Sequence, residues 1–482
     1  MRNRLLVLGA ALAAFGASLF AGFHFDDYGI FSDARFTEGW NWKALWASGQ
    51  PLTDLTFRLN YWMGGRDPFS YHLFSLLVAV ACALLAYECL RLALGERAAL
   101  AGALVFTLHP IQAEAVNYIW ARADLLGAAF CLLALAAWWR GWRWAAVPAF
   151  AAGLLANEYA AALPVALLLL PEPAGEPGAG KDSKRPARVF HYVPTAAMWA
   201  LGAGAIARLV YLARVSHGLT APGKYFLAEG PALWRYLRLL AIPYGFSVDP
   251  DVRVPALWLG APAWAGILAA AVWAWRRRDL GWPRWLPAGL ALLLPVSSAL
   301  PRENFYADHR MYLPMLAFAA AAGLLLAKVR TPALTASVAI VLGLLCVTRT
   351  VVWMNDKWLW QEAVQRAPNK ARPKVQLSRN LPAVAALEML ERAQVQAPRD
   401  PSVPAEMGKV LLQERQVDPA LIEFGQALAL DPNNAEYYND RGVALVMSGW
   451  NDRARDDFER ALEIDPNLSE ATENLKKLPQ AP

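Results

Sequence analysis

Residues 5–23 read LLVLGAALAAFGASLFAGF, and residues 24–36 read HFDDYGIFSDARF. The first run is close to the length that crosses a bilayer. The second places two adjacent carboxylates, Asp26 and Asp27, where the chain has just left the hydrocarbon. Charge at membrane depth is costly, so such a pair is expected either to have a function or to lie just outside the membrane. Arg2 and Arg4 precede the apolar run, as they would in a signal peptide. No clear small-residue cleavage site stands before the charged stretch, so the run is read as a retained first helix.

Working outward, the same pattern recurs. The chain has 482 residues, 57% of them hydrophobic, and 21 tryptophans. Its mean hydropathy of +0.26 is too high for a soluble protein of this size. Further apolar runs cover Tyr71–Leu94, Ala98–Ile119, Asp124–Trp139, Trp142–Asn157, Tyr159–Leu170, Tyr192–Ala213, Leu257–Trp275, Trp285–Leu300, Tyr312–Ala327 and Ala333–Val352. With the first, about eleven spans are expected.

The net charge of +6 does not call for a nucleic-acid partner. With the amino terminus inside, alternate loops receive Arg2 and Arg4, Arg91 and Arg97, Arg140 and Arg143, Lys181 to Arg188, Arg276 to Arg278, and Lys328 and Arg330. That is the positive-inside bias. Cys82, Cys89, Cys131 and Cys346 all fall in apolar runs without metal-ligand spacing, so they read as small core residues. Pro171–Phe190 is Pro/Gly-rich and basic and reads as a flexible cytoplasmic loop. Its GAGK lacks the spacing of a phosphate loop, and neither a zinc-spaced cluster nor a nucleophile elbow appears.

The composition changes near Asn355. Gly408 recurs as Gly442, Ala420 as Ala454, Phe424 as Phe458, Ala427 as Ala461 and Pro432 as Pro466, every pair 34 residues apart. This is the tetratricopeptide period. Gly and Ala sit where paired helices approach closely, Phe fills the gap, and Pro ends the second helix. AVAALEMLERAQVQAPRD reads as a degenerate repeat and LWQEAVQRAPNK as a lone second helix. The fold class is therefore all-α: a polytopic membrane bundle over 1–354 and an α-solenoid over 355–482. An odd number of spans puts the solenoid on the outer side, which in a bacterium is the periplasm.

Polar residues collect on that same side. HFDDYGIFSDARF and PLTDLTFRLNYWMGG form the first external loop, with Arg58. LHPIQAEAVNYIWARADLL contributes His109, Glu114, Arg122 and Asp124; ANEYAA contributes Asn157 and Glu158; PRENFYADHRMYLP contributes Asp308, His309, Arg310 and Tyr312. A carboxylate can take the proton of an attacking hydroxyl. Arginine and histidine can hold a departing lipid-linked phosphate. On the residues alone, Glu114, Arg122 and Asp124 read equally as an internal ion-pair network, His109 as a helix end before Pro110, Tyr312 as an interfacial anchor and Arg58 as a surface cation. ALWRYLRLLAIPYGFS is amphipathic and is expected to lie in the external interface.

These motifs, in this order, with the repeat tail, resemble the transmembrane and tetratricopeptide-repeat O-mannosyltransferase family of the GT-C glycosyltransferase class. The resemblance implies transfer of a sugar, mannose among the candidates, from a polyprenyl-phosphate donor to a protein hydroxyl or surface glycan. The acceptor would be presented in part by the repeats. It places the first-loop acidic motif on Asp26 and Asp27, with Asp26 as base and Asp27 as binding or orienting partner. Arg58, His109, Glu114, Arg122, Asp124, Glu158, His309, Arg310 and Tyr312 are the substrate-binding candidates. Asn157–Glu158 stands where eukaryotic members tend to show Lys–Glu. A divalent metal between carboxylates is compatible with this chemistry but has no spacing signature. The resemblance places such an enzyme in a bacterial inner membrane. The contrasting reading is a non-catalytic anchor that displays a repeat scaffold for envelope assembly.

Overall fold

In a computed structural model, residues 1–39, 42–171, 189–216, 222–250, 257–295, 306–329 and 331–479 are described. Among them every regular element is helical, and the chain falls into two compact units. One comprises Met1–Phe246 and Val252–Asn355; the other comprises Ser247–Asp251 and Asp356–Pro482.

In the first unit the chief helices are α1 (Arg2–Phe15), α2 (Pro51–Gly64), α3 (Pro68–Leu94), α4 (Glu96–Leu108), α5 (Arg122–Trp139), α6 (Arg143–Ala156), α7 (Val189–Ser216), α8 (Pro222–Ala241), α9 (Leu257–Arg276), α10 (Met315–Lys328) and α11 (Pro332–Val352). Among the described residues, six stretches are long and apolar enough to cross a membrane: Arg2–Phe20, Pro68–Leu94, Ile119–Trp139, Val193–Tyr211, Trp258–Arg276 and Pro332–Val352. A bent pair, Glu96–Leu108 with Pro110–Asn117, makes a seventh if counted as one span. Arg143–Ala156, Glu158–Leu169 and Met315–Lys328 are shorter apolar helices. The run expected over Trp285–Leu300 extends beyond the described residues, and most of the basic loop Pro171–Phe190 lies outside them. The eleven runs thus include fewer full-length crossings than run-counting suggests, because the backbone breaks inside apolar sequence at His109 and Asn157. The chain is a multi-pass membrane protein.

Helices α4 and α10 touch backbone to backbone. A Cβ on Gly102 would stand 2.8 Å from the Ala319 carbonyl oxygen, and one on Gly323 would run into the Ala98 carbonyl. Small residues permit this approach, the usual packing device where lipid removes the hydrophobic drive between helices. The four cysteines are free and buried, as core residues should be. At one end of α3, Glu88 accepts from Arg91 at 2.7 Å, Arg140 at 2.5 Å and Arg4 at 3.1 Å. Three cations, from α1, from α3 itself and from the cap that ends α5, therefore meet at the same end of the bundle. At the other end His72 Nε2 is 3.1 Å from the Gly22 carbonyl oxygen. Sixteen residues of helix separate His72 from Glu88, about 24 Å at 1.5 Å per residue.

The second unit stacks α12 (Asp356–Arg366), α13 (Ala371–Ser378), α14 (Ala383–Gln396), α15 (Ser402–Gln413), α16 (Val417–Leu430), α17 (Ala435–Met447), α18 (Asn451–Ile464) and α19 (Ser469–Lys477). Pro404 falls in the first turn of α15, where a missing N–H costs nothing. Cβ atoms on Gly408 and Gly442 would come within 2.7 and 2.6 Å of the Phe424 and Phe458 rings. One period upstream, the degenerate repeat carries Lys374 and Leu390 in place of Gly and Phe. The smaller leucine leaves room for the buried lysine, whose Nζ donates to the Lys370 carbonyl at 3.1 Å and to Gln396 Oε1 at 2.5 Å. In these three repeats a larger side chain at one position is matched by a smaller one at the other. Gly442→Lys alone should cost about 1–3 kcal/mol through overpacking. Adding Phe458→Leu should recover part of that loss. A double-mutant cycle on thermal melts checks the coupling, and simple additivity would disprove it.

Candidate functional site

The first loop turns at once after the opening span. Phe25–Tyr28 forms a 3₁₀ turn in which the His24 side chain accepts from the Asp27 backbone while the Asp27 carboxylate accepts from the His24 backbone N–H at 2.9 Å. The second Asp27 oxygen accepts from the Trp120 backbone N–H at 2.8 Å. Asp27 is thus wholly buried and engaged at both oxygens. Asp26 points the other way. It is exposed, and its Oδ2 accepts from the Tyr118 hydroxyl at 2.6 Å. Of the two carboxylates expected to be catalytic, Asp26 is exposed and Asp27 is buried. Asp27 staples the loop to the following junction.

Strain accompanies this presentation. Phe25 has φ +26°, an unfavourable region for a side chain with a Cβ. Its ring packs on Tyr118 at 5.0 Å and Trp353 at 6.1 Å. Trp353 ends α11, and its carbonyl oxygen lies 2.6 Å from His24 Nε2. Strained residues of this kind persist where surrounding structure holds them, and they gather at functional sites.

Tyr118 connects the two halves of the site. Its hydroxyl reaches Asp26, and its ring lies 6.5 Å from that of His309 and stacks on Trp353 at 5.7 Å. His309 Nδ1 is 2.6 Å from Glu114 Oε1, and its Nε2 is 3.9 Å from Asp124 Oδ2. Burial pulls His309 down, but Asp124 and Glu114 outweigh it, so the imidazole titrates above its ordinary range. Asp308 is taken by Arg235 at 2.8 Å. Arg310, Asp124, Asn157 and Tyr159 line one small cavity. Residues from four distant segments therefore converge: Asp26, Glu114 with Asp124, Asn157, and His309 with Arg310.

Other candidates are placed elsewhere. Arg122 is completely buried, donating to Asn60 Oδ1 at 2.6 Å, the Tyr71 carbonyl at 2.9 Å and Thr56 Oγ1 at 3.3 Å, and it lies 4.7 Å over both Phe57 and Phe74. The extended backbone of Tyr118 turns it away from Glu114, and its hydrogen bonds brace α2, α3 and α5. His109 is buried and caps the Pro110 turn, its Nδ1 accepting from Ile111 at 3.2 Å. Tyr312 is buried against Phe106 at 5.6 Å, which excludes an interfacial anchor. Arg58 is buried and donates to the carbonyls of Arg35, at 2.9 Å, and Glu38. Glu158 lines a separate apolar groove with Leu154, Leu201 and Arg208. His309 pairs with Glu114, 195 residues away, while the adjacent Asp308 is taken by Arg235. Among the described residues no group of three or more His, Cys, Asp or Glu side chains is placed to hold a metal.

Sequence reasoning passed over Tyr118, His24, Trp353 and Arg235. Tyr118 carried a usable signal, four residues from both Glu114 and Arg122. The helical face this spacing implies does not form, because the helix stops at Tyr118.

Burial pushes the Asp27 carboxyl up to about 7, against the pull of His24 and of the His24 and Trp120 N–H groups. The folded chain thus holds this proton more tightly than the unfolded chain, whose ordinary value is 3.8. The group favours folding most below that lower value, and its contribution is lost as pH rises towards 7. Thermal melts of solubilised protein should show this decline, and Asp27→Asn should flatten it. An unchanged slope in the variant would contradict the assignment.

The tetratricopeptide-repeat family model matches residues 435–468. Protein O-mannosyl-transferase TMTC3 of Mus musculus is 34% identical over 145 residues, covering 27% of this chain and 16% of that protein. Protein O-mannosyl-transferase Tmtc2 of Drosophila melanogaster is 36% identical over 145 residues, 26% of this chain and 16% of the relative. In both cases the match spans about a sixth of the relative's length. Among solved structures, the first TPR domain of the human RPAP3 protein is 24% identical and covers 23% of this chain and 90% of its own, with a TM-score of 0.22.

Proposed function

We propose, from its kinship with the TMTC protein O-mannosyl-transferases, that this chain is a membrane glycosyltransferase. It moves a sugar, mannose foremost, from a polyprenyl-phosphate donor to a protein hydroxyl. Asp26 takes the proton of the attacking hydroxyl as the oxygen bonds to the anomeric carbon. The bond from that carbon to the phosphate oxygen breaks with its electron pair, and the departing phosphate is received by Arg310. Glu114 and Asp124 favour the protonated form of His309, which adds positive potential there. Tyr118 orients Asp26 through its hydroxyl hydrogen bond.

The observation that carries this reading is the double engagement of Tyr118. One side chain touches both the first-loop carboxylate and the histidine that precedes Arg310. The reaction face is assigned to the outer side, the periplasm in a bacterium. Support comes from α3, whose opposite end gathers Arg4, Arg91 and Arg140, and cations favour the inside. The repeats are assigned the role of presenting the acceptor.

The test incubates purified protein with radiolabelled polyprenyl-phosphate sugars and acceptor protein, with and without Asp26→Asn. Label should move from one donor and stop in the variant. No transfer from any donor, or equal transfer by the variant, would remove the reading and favour a non-catalytic scaffold.

A further inference from the structure

The carboxylate of Glu88 is crowded. It is buried near the end of α3, yet nitrogens from three arginines converge on its two oxygens. Arg91, one turn further along the same helix, binds side-on, with Nη2 2.7 Å from Oε1 and Nε 3.2 Å from Oε2. Arg140 Nη2, from the cap that ends α5, adds a second donor to Oε1 at 2.5 Å. Arg4 Nη2, from α1, adds a second donor to Oε2 at 3.1 Å. A carboxylate offers about four lone-pair sites, so Glu88 is saturated. One negative charge thus gathers three positive ones. The other carboxylate at this end, Glu96, is exposed and accepts from neutral donors, the Tyr87 hydroxyl at 2.5 Å and the Asn3 amide at 2.9 Å.

The cluster is therefore a fixed surplus of positive charge, and part of it faces outward. Arg4 and Arg140 each give Glu88 one nitrogen, and their side chains are 60% and 31% exposed. The surroundings are those of a membrane edge. Trp142 and Trp144 are exposed just past Arg140, and Arg140 Cζ lies 5.5 Å from the Trp142 ring centroid. Exposed tryptophan marks the depth of lipid headgroups. Next to Arg4, Leu5 and Leu6 are exposed on α1, where the candidate span Arg2–Phe20 begins.

We propose that Arg4, Arg91 and Arg140, held in place by Glu88, seat the phosphate of an anionic phospholipid whose acyl chains lie along α1. Basic pockets between spans on the inner side take anionic headgroups in this way. The guanidinium fork suits phosphate oxygens because it gives paired, charge-assisted hydrogen bonds. Free phosphate offers the same oxygens, but the exposed leucines and tryptophans favour a ligand with a hydrocarbon part. In the orientation assigned above, the lipid belongs to the inner leaflet. The seat does not depend on the proposed enzymatic activity.

The test keeps the full chain in detergent and exposes it to equal amounts of dioleoylphosphatidylglycerol and dioleoylphosphatidylcholine. Native mass spectrometry then measures which lipid stays bound. The wild type should retain the glycerol lipid over the choline lipid. Arg4→Gln and Arg140→Gln should each lower that preference about fivefold, the usual worth of one arginine at an anionic membrane surface. Arg276→Gln with Arg277→Gln removes two exposed cations from another loop assigned to the same side and should leave the preference unchanged. Equal retention of both lipids, or an undiminished preference in the Arg4 and Arg140 variants, would overturn the proposal. An equal loss in the Arg276/Arg277 variant would mean diffuse charge without a seat and overturn it too. In thermal melts the glycerol lipid should raise the melting temperature, and inorganic phosphate at the same concentration should not. An equal rise with phosphate would mean a free-anion site and overturn the lipid assignment. If Arg140→Gln fails to assemble, the exposed Arg4 decides.

Discussion

Asp26→Asn is expected to lower glycosyl transfer by about 10²–10⁴-fold, the usual contribution of a positioned general base, while leaving insertion and melting behaviour close to wild type. The geometry gives both halves of this expectation. The carboxylate is exposed and contributes no buried backbone contact, only the Tyr118 hydrogen bond that an amide oxygen can still accept. What the amide cannot do is take a proton. Asp27→Asn should behave differently although it is the adjacent residue. Its two oxygens accept from two backbone N–H groups, and an amide turns one acceptor into a donor facing a donor. Leaving one buried N–H unsatisfied costs about 1–3 kcal/mol, so this variant should lose stability first and activity as a consequence. Measuring turnover and melting on both variants separates the roles. Wild-type turnover in Asp26→Asn would end the carboxylate-base mechanism, and equal melting of both variants would end the division of labour.

The second large effect concerns Arg122. Arg122→Ala should destabilise the chain by about 3–5 kcal/mol, combining a large-to-small core change with orphaned acceptors. Its guanidinium serves Asn60, Tyr71 and Thr56 at once and sits over two aromatic faces, so removal leaves three oxygens without their donor. Arg122→Lys should rescue little, because one ammonium lacks the planar fork that spans these partners and stacks on rings. Denaturation of the solubilised variants, alongside binding of a polyprenyl-phosphate sugar, gives the comparison. A variant of normal stability that has lost donor binding would restore Arg122 to the substrate-facing set.

The architecture was largely legible because it rests on period and length. The 34-residue recurrence of Gly408, Phe424 and Pro432 needs no tertiary knowledge, and the apolar runs announce helices by composition. The site was legible only at the level of which segments meet. Asp26, Glu114, Asp124, His309 and Arg310 were drawn from segments that the fold brings together, yet their partners were not readable. Nothing in linear order shows that His309 reaches back 195 residues to Glu114. Nor does it show that Tyr118 breaks its helix and sends Arg122 inward.

The contact between His24 and the carbonyl of Trp353 closes the membrane unit upon itself. The stretch of chain that carries Asp26 is latched by the residue that ends α11, and both lie in the first unit, from which Ser247–Asp251 and Asp356–Pro482 are set apart. Asp26, Glu114, Tyr118, Asp124, His309 and Arg310 therefore all lie in the first unit. On the proposed reading, lengthening, shortening or swapping the solenoid would alter how an acceptor is presented while leaving those residues and their hydrogen bonds in place.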